Sequence, residues 1–536
     1  MSKILIYCTF IVLCFIAQPL ALSLSLTNMN TNAENSSNYK PINENFKINS
    51  YQNTSNPDLI LQSFYWAVPN GTWYNTVASR LQDIANLGFT ILWMPPPSKT
   101  YGPGPDSNGL QMGYEPYDYY DLGQYNQQGS VNTRFGSKSD LLNLINRTNN
   151  LNMSAMADIV LNHNRGGYPQ PNGLNFTVVK SGLFLRNATD FNCGDGLTEY
   201  DFPDLCTTNS YVRQQILEWG QWLRNKIGFK AWRFDFVKGY NASTVKAWTD
   251  LIGGFSLVEN WQSTVPLITQ YLSLESNTTK AFDFPLMYTF LNIFGRNGNY
   301  NLSTLINPST SLLMTDPQNA VTFVDTHDTV RQPANDIIIH RDFMYAFILL
   351  YAGGTPSVFW RDLYPNDPCA ADAGSACQNQ LDINYKTVQI NLRKLLEIRK
   401  DYASGTGSLL YSDQDLFIYQ RNGNPGLILA LNDNPTKTHT VTISTKYSNT
   451  LLYELMDFGK ALQANDKGQV TIQVPPLSYL VYSQVQHPTG DIITSVLSIS
   501  SSTSKTTGNP FIDTLAGLLL SFIVINLVNM RRHKKY

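Results

Sequence analysis

At 536 residues the chain exceeds one ordinary domain and is long enough for an eight-stranded α/β barrel with a smaller module attached. A formal net charge of −2, with 15% charged and 43% hydrophobic residues, excludes a long-range field that would gather nucleic acid and excludes a chain too polar to fold. Aromatic residues make up 12%, which suits neutral, polar, ring-shaped ligands such as sugars.

The N-terminus reads as a secretory signal over residues 1–22: Lys3 supplies the positive end, Ile4 to Ala17 the apolar run, and Pro19-Leu20-Ala21 a cleavage region. Cys8 and Cys14 would leave with it. Residues 23–57 are rich in Asn, Ser and Thr and read as a disordered leader. Four cysteines remain: Cys193, Cys206, Cys369 and Cys377. An even number predicts two disulfides, with the local pairs Cys193–Cys206 and Cys369–Cys377 the simplest of the three connectivities. Acceptor sequons at Asn53, Asn70, Asn175, Asn241 and Asn301 point to the same secretory route.

From Leu59 a regular alternation begins. Leu59–Trp66 is a strand candidate, Thr72–Leu87 has helical apolar spacing (Val77, Leu81, Ile84) ending at Gly88, and Phe89–Met94 is a second strand. Further strands are expected at Met153–Leu161, Phe229–Phe236, Phe255–Val258, Ala281–Phe284, Val321–Val324 and Pro356–Trp360, with helices at Ser139–Asn149, Tyr211–Lys226 and Asp342–Tyr351. Eight strands with helices between them predict a closed (β/α)8 TIM barrel over 58–404. The doubly wound alternative lacks a Gly-rich phosphate turn after its first strand. Residues 163–210 are too long for a simple loop and read as a subdomain inserted after strand three. Short β runs at Leu416–Arg421, Leu427–Asn432, Val441–Ser444, Gln469–Val474 and Tyr479–Ser483 predict a C-terminal antiparallel β domain over 405–485. A Ser/Thr-rich linker, 486–510, leads to the mostly apolar 511–530 and a basic tail, 531–536. That order predicts a single C-terminal transmembrane helix holding the protein on a lumenal or extracellular face, with a lipid-anchor signal as the alternative.

In a parallel barrel, the chemistry gathers at the C-terminal ends of the strands. Those ends here read Asp158 to His163, Arg233-Phe234-Asp235, Val258-Glu259-Asn260-Trp261 and Asp325-Thr326-His327-Asp328. Several carboxylates, two imidazoles and a guanidinium on one rim are costly unless they work together. Glycosidic cleavage needs one carboxylic acid to protonate the leaving oxygen and one carboxylate to attack. Arg233 and Asp235 share a strand face, so the guanidinium should keep Asp235 ionised as a nucleophile. Glu259, beside Trp261, is expected in a less charged setting that raises it toward a usable acid. Neighbouring strand ends predict a carboxyl separation of about 5–5.5 Å, the retaining value.

These four strand ends resemble the signature regions of the α-amylase family (glycoside hydrolase family 13). Met112-Gly-Tyr-Glu-Pro-Tyr-Asp, Arg134-Phe-Gly-Ser-Lys and Phe282-Asp-Phe-Pro-Leu resemble its archaeal-type and plant-type members. The resemblance covers roughly Leu61 to Tyr482 and implies residue roles. Asp235 would be the nucleophile, Glu259 the acid/base and Asp328 the third carboxylate, which holds and distorts the sugar. Arg233, His163, His327 and the platform Tyr114 would bind substrate, with Lys238 and Trp261 on the leaving-group side. A calcium ion is implied, held by Asn162, Asp195 and Asp204 with the carbonyls of Leu197 and Gly239. Zinc is not expected, because no histidine lies between His163 and His327.

The implied activity is endo-acting hydrolysis of α-1,4-glucan by a monomer. An inactive, membrane-anchored amylase-like binding or transport partner is the alternative from another class. An α-glucosidase or transglycosylase is the alternative within the family.

Overall fold

The computed structural model describes residues 58–486, apart from residues 67 and 296 and segments 103–110, 166–167, 170–174, 177–178, 199–201, 332–337 and 370–384. The barrel strands are β1 (Ile60–Gln62), β2 (Ile91–Met94), β3 (Ser154–Ile159), β4 (Ala231–Phe234), β5 (Phe255–Val258), β6 (Lys280–Phe282), β7 (Ala320–Phe323) and β8 (Thr355–Phe359). They close in sequence order, β8 pairing β1, and every pairing is parallel. The expected TIM barrel is therefore the observed one. Strands this short and buried on both faces read as continuous apolar runs, and those runs located them.

The outer helices are amphipathic. In α1 (Trp73–Asn86), Trp73, Val77, Leu81 and Ile84 are buried on one face. Burying a side chain such as Leu81 stabilises by about 1.5–3 kcal/mol. The next helix, α2 (Lys138–Asn150), starts at a capping box in which Ser137 and Asp140 satisfy each other's backbone amides. The helix after the insertion, α3 (Ser210–Trp222), ends in a π-helical turn at Leu223–Ile227, closed by Gly228 in the left-handed region.

The sixth strand ends earlier than expected. Strand six stops at Phe282, because Asp283 caps a helix, Phe284–Phe294, carrying proline in its first turn. The Asp283 carboxylate accepts the amides of Leu286, Leu312 and Leu313 and the hydroxyl of Ser311.

A six-stranded antiparallel sheet follows the barrel. It contains β9 (Gly407–Ser412), β10 (Leu416–Arg421), β11 (Leu427–Asn432), β13 (Leu451–Glu454), β14 (Leu462–Gln463) and β16 (Ser478–Ser483), while β12 (His439–Ser444) pairs with β15 (Gln469–Val474). One face of β10 and β11 joins the barrel core through Phe417, Tyr419, Leu429 and Leu431. The other packs a separate cluster that includes Ile418, Ile428 and Ile472.

The membrane expectation requires correction. Among the described residues, no helix is long and apolar enough to cross a membrane, so the transmembrane anchor and the localisation built on it are withdrawn. Segment 511–530 itself, the linker 486–510, the tail 531–536, the signal 1–22 and the leader 23–57 lie outside the described residues, residue 486 excepted. Cys193 and Cys206 are bonded as expected. Cys369 is disulfide-bonded, and its expected partner Cys377 lies outside the described residues.

Candidate active site

The site is organised around Arg233 on β4. Its guanidinium is buried and contacts three carboxylates. One nitrogen donates to Asp158 Oδ1 at 2.7 Å and to Asp235 Oδ1 at 2.6 Å, and the other reaches Glu259 Oε1 at 2.9 Å. Asp158 belongs to β3, Asp235 follows β4 and Glu259 follows β5, so three consecutive strands deliver their acids to one planar cation. The guanidinium also lies 5.2 Å from the centre of the Trp93 ring.

Sequence reasoning gave Asp158 no role. Its second oxygen accepts Trp93 Nε1–H at 3.0 Å and the Tyr114 hydroxyl at 2.8 Å, which fixes both the arginine and the Tyr114 ring. A polar residue flanked by apolar ones on a barrel strand was the available signal.

One cation against three buried carboxylates leaves an excess of negative charge, so burial raises the whole group while Arg233 opposes it. Asp158 is pushed up to about 6, Asp235 to about 7 and Glu259 to about 8. The expected contrast therefore needs revision. Arg233 touches both acids, and burial, more than an aromatic neighbour, raises Glu259. Trp261 instead stacks on Phe284 at 4.7 Å and donates its indole N–H to Tyr288.

A further contact on Glu259 comes from the backbone. Phe236 takes the left-handed conformation, φ 41° and ψ 52°, uncommon for a bulky residue and worth about 1–3 kcal/mol of strain. The turn aims its N–H at Glu259 Oε2, 3.0 Å away.

The Asp328 side chain is 26% exposed, and its charge acts on both Asp235 and Glu259. His327 links it to the first strand: Nε2 lies 3.2 Å from Asp328 Oδ2, and Nδ1 lies 2.6 Å from Gln62 Nε2. The His327 ring is stacked with Tyr114 at 5.3 Å and with Trp66 at 5.9 Å. Three nearly parallel rings thus form an aromatic wall beside the carboxylates, and such a wall presents apolar area to a sugar face. His163 is kept neutral by burial, about 4, and its Nε2–H donates to the Tyr114 carbonyl at 2.7 Å. Lys238 donates to the Trp261 carbonyl at 3.1 Å.

The expected metal ligands also converge. The Asn162 side-chain oxygen lies 2.7 Å from the Gly239 carbonyl oxygen, and 3.2 Å from both Asp204 Oδ1 and the Leu197 carbonyl oxygen. Four acceptors meet there with no proton between them. Rotating the amide would let its NH2 donate instead; a hard cation resolves the same conflict without rotation. Asp195 Oδ1 is buried without a hydrogen-bond partner, and Asp204 is raised to about 7 by burial and by Asp195. Among the described residues, no three His, Cys, Asp or Glu side chains gather as a metal group. This donor set therefore depends on carbonyl and amide oxygens, and its chemistry fits calcium.

The family described as "Alpha amylase, catalytic domain" matches residues 35–167. The chain is 24% identical to the cytoplasmic alpha-amylase of Escherichia coli, over 74% of this chain and 92% of that protein. It is 25% identical to an alpha-amylase of Bacillus licheniformis, over 70% of this chain and 83% of that protein. With a probable alpha-amylase of Arabidopsis thaliana the identity is 29%, over 64% and 82%. The solved alpha-amylase of Geobacillus thermoleovorans, complexed with acarbose, shares the fold at a TM-score of 0.60 and 18% identity, covering 80% of this chain and 98% of that one.

Proposed function

We propose that this chain is an enzyme of the α-amylase family, as its similarity to alpha-amylases supports, and that it hydrolyses internal α-1,4-glucosidic bonds of starch- or glycogen-type polysaccharide by a retaining double displacement. The observation that carries the reading is Arg233 holding Asp235 and Glu259 from adjacent strands. In this mechanism Glu259 gives its proton to the glycosidic oxygen as the bond to the anomeric carbon breaks. Asp235 attacks that carbon from the other face and forms a glycosyl ester. Glu259, now ionised, takes a proton from water, which attacks the ester and frees Asp235. Its raised protonation range lets Glu259 begin as the acid near neutral pH.

Asp328 accepts the sugar hydroxyls, with His163 and His327 at the same subsite and Tyr114 beneath the ring. Lys238 and Trp261 face the leaving group. Residues 58–404 form the catalytic unit with 163–210 inserted, and 405–485 form the β domain. Asn162, Asp195 and Asp204 with the carbonyls of Leu197 and Gly239 hold calcium, whose fixed charge neutralises the converging oxygens and pins the insertion to the barrel.

The test is starch hydrolysis with and without a chelator, repeated with Asp235→Asn. Early release of mixed maltooligosaccharides in the α configuration is expected, with the variant slower by about 10⁴-fold or more. An inactive calcium-loaded wild type would leave a binding protein. Glucose alone or transfer products would leave the glucosidase or transglycosylase, and an inverted anomer would overturn the double displacement.

A further inference from the structure

We propose that the Cys193–Cys206 disulfide is a redox-sensitive switch on the calcium site, and that its reduction releases the ion while the barrel stays folded. The inference rests on the calcium reading above and concerns how that site is held together.

The disulfide spans 13 residues of sequence, and three of the five proposed ligands, Asp195, Leu197 and Asp204, lie between its cysteines. The two halves of this loop are anchored unequally. The Asp204 half is buried and built onto the barrel: Leu205 N–H donates to the Asn162 carbonyl at 2.7 Å, and Asp204 itself bridges to His163. Cys206, 5% exposed, donates its N–H to the Asp190 carbonyl at 2.8 Å.

The Asp195 half has little beneath it. Cys193 and Gly194 are exposed, and the Leu197 side chain is 58% exposed, so no apolar burial fixes this stretch. Among the described residues, its other ties include the Leu197 N–H to the Lys238 carbonyl at 3.0 Å, the Thr207 hydroxyl to Asp195 Oδ2 at 2.5 Å and, one residue before Cys193, the Asn192 N–H to the Asp204 carbonyl at 2.7 Å. Gly196 sits so close to Gly239 that a Cβ there would lie 2.2 Å from the Gly239 carbonyl carbon. Among the described residues, ligand placement thus depends on a tight approach held by these hydrogen bonds and the disulfide. The covalent link from Cys193 to the firmly seated Cys206 limits how far Asp195 and Leu197 can stray. Without it, calcium binding must itself supply the ordering entropy of that half.

The chemistry of opening is accessible. A dithiol reductant attacks the exposed Cys193 sulfur as thiolate, forming a mixed disulfide and expelling the Cys206 thiolate. Its second thiolate closes the reductant's own disulfide and expels Cys193. The protein gains two electrons and two protons, and the dithiol loses them. The Thr208 hydroxyl, 3.4 Å from Cys193 Sγ and 3.6 Å from Cys206 Sγ, stands ready to donate to either thiolate.

The test is calcium titration calorimetry on three samples of the full chain: oxidised, reduced with dithiothreitol, and the double variant Cys193→Ser with Cys206→Ser. Affinity is expected to fall about tenfold or more in both the reduced protein and the variant. Starch hydrolysis should be lost at limiting calcium and restored by excess. The variant separates this effect from reduction at Cys369, and the single variant Cys193→Ala, titrated without reductant, serves if the double variant does not fold. Equal affinities in the oxidised and opened forms would overturn the switch. An oxidised protein that binds no calcium would overturn the metal reading beneath it, and the switch with it.

Discussion

Two regions of this molecule gather buried oxygen atoms at neighbouring strand ends, and they balance the resulting charge differently. At the catalytic rim, three carboxylates surround a cation the sequence itself provides, Arg233. At the junction of barrel and insertion, Asn162, Asp204, Leu197 and Gly239 converge with no such group among them. An internal cation is permanent and cannot be exchanged, so it can set the protonation of acids that must act in every turnover. A cluster that leaves its charge open depends on what the solution supplies. The first arrangement suits chemistry and the second suits assembly, because the second joins the ends of β3 and β4 to the stretch of chain between them.

The largest effect should come from removing the built-in cation. Arg233→Met leaves Asp158, Asp235 and Glu259 buried with nothing opposite them, and breaking such a set costs about 3–5 kcal/mol. Urea unfolding at neutral pH measures it, and activity should vanish with it. A variant as stable as wild type would mean that the carboxylates do not rely on Arg233.

The second region should respond to the solution instead. Chelation is expected to cost about 2.7 kcal/mol relative to protein held at a hundredfold excess of calcium over Kd, seen as a lower thermal midpoint that recovers when calcium is restored. A midpoint unmoved by chelator would favour the rotated Asn162 amide over an ion.

The two regions also differed in how far the sequence exposed them. Barrel strands announce themselves because both faces are buried, and β10, β11 and β15 were legible to the residue because their apolar patterns are bounded by turn residues. Edge strand β9 escaped notice because it is only half-buried throughout. Helix Phe284–Phe294 was not expected, and its first residue was read as the end of a strand, although Asp283 followed by Phe-Pro was a visible cap. At the rim, the pairing of Arg233 with Asp235 followed from strand alternation. The Arg233–Glu259 pair crosses between strands and needs a register that one sequence does not display. Asp158 needed that same register. The left-handed turn at Phe236 contradicts the residue's own preference and is imposed by its surroundings.

The rim's protonation gives the next test. Under the proposed mechanism Asp235, raised to about 7, must be ionised to attack, and Glu259, raised to about 8, must be protonated to donate. Free-enzyme kcat/KM should therefore rise with pH through the lower value and fall through the upper. Each limb changes about tenfold per pH unit, and the limbs belong to the coupled group. Stability carries the opposite cost. Both folded carboxyls hold protons that the unfolded chain releases in the ordinary carboxylate range, so their contribution weakens as pH climbs from there to about 8. Two limbs below about pH 5 would show that burial does not govern these acids.

The smallest effect probes how much the rim depends on its outer contacts. Tyr114→Phe keeps the ring that stacks on His327 and removes only the hydroxyl donated to Asp158. Asp158 retains Arg233 and Trp93, so the loss should stay near the value of one hydrogen bond to a charged group, about 1.5–3 kcal/mol at most. If the ring supports the sugar as proposed, kcat should fall more than KM rises. A change confined to KM would place Tyr114 with the aromatic wall alone. A matched fall in kcat would place its hydroxyl within the Arg233 network, as the contact with Asp158 requires.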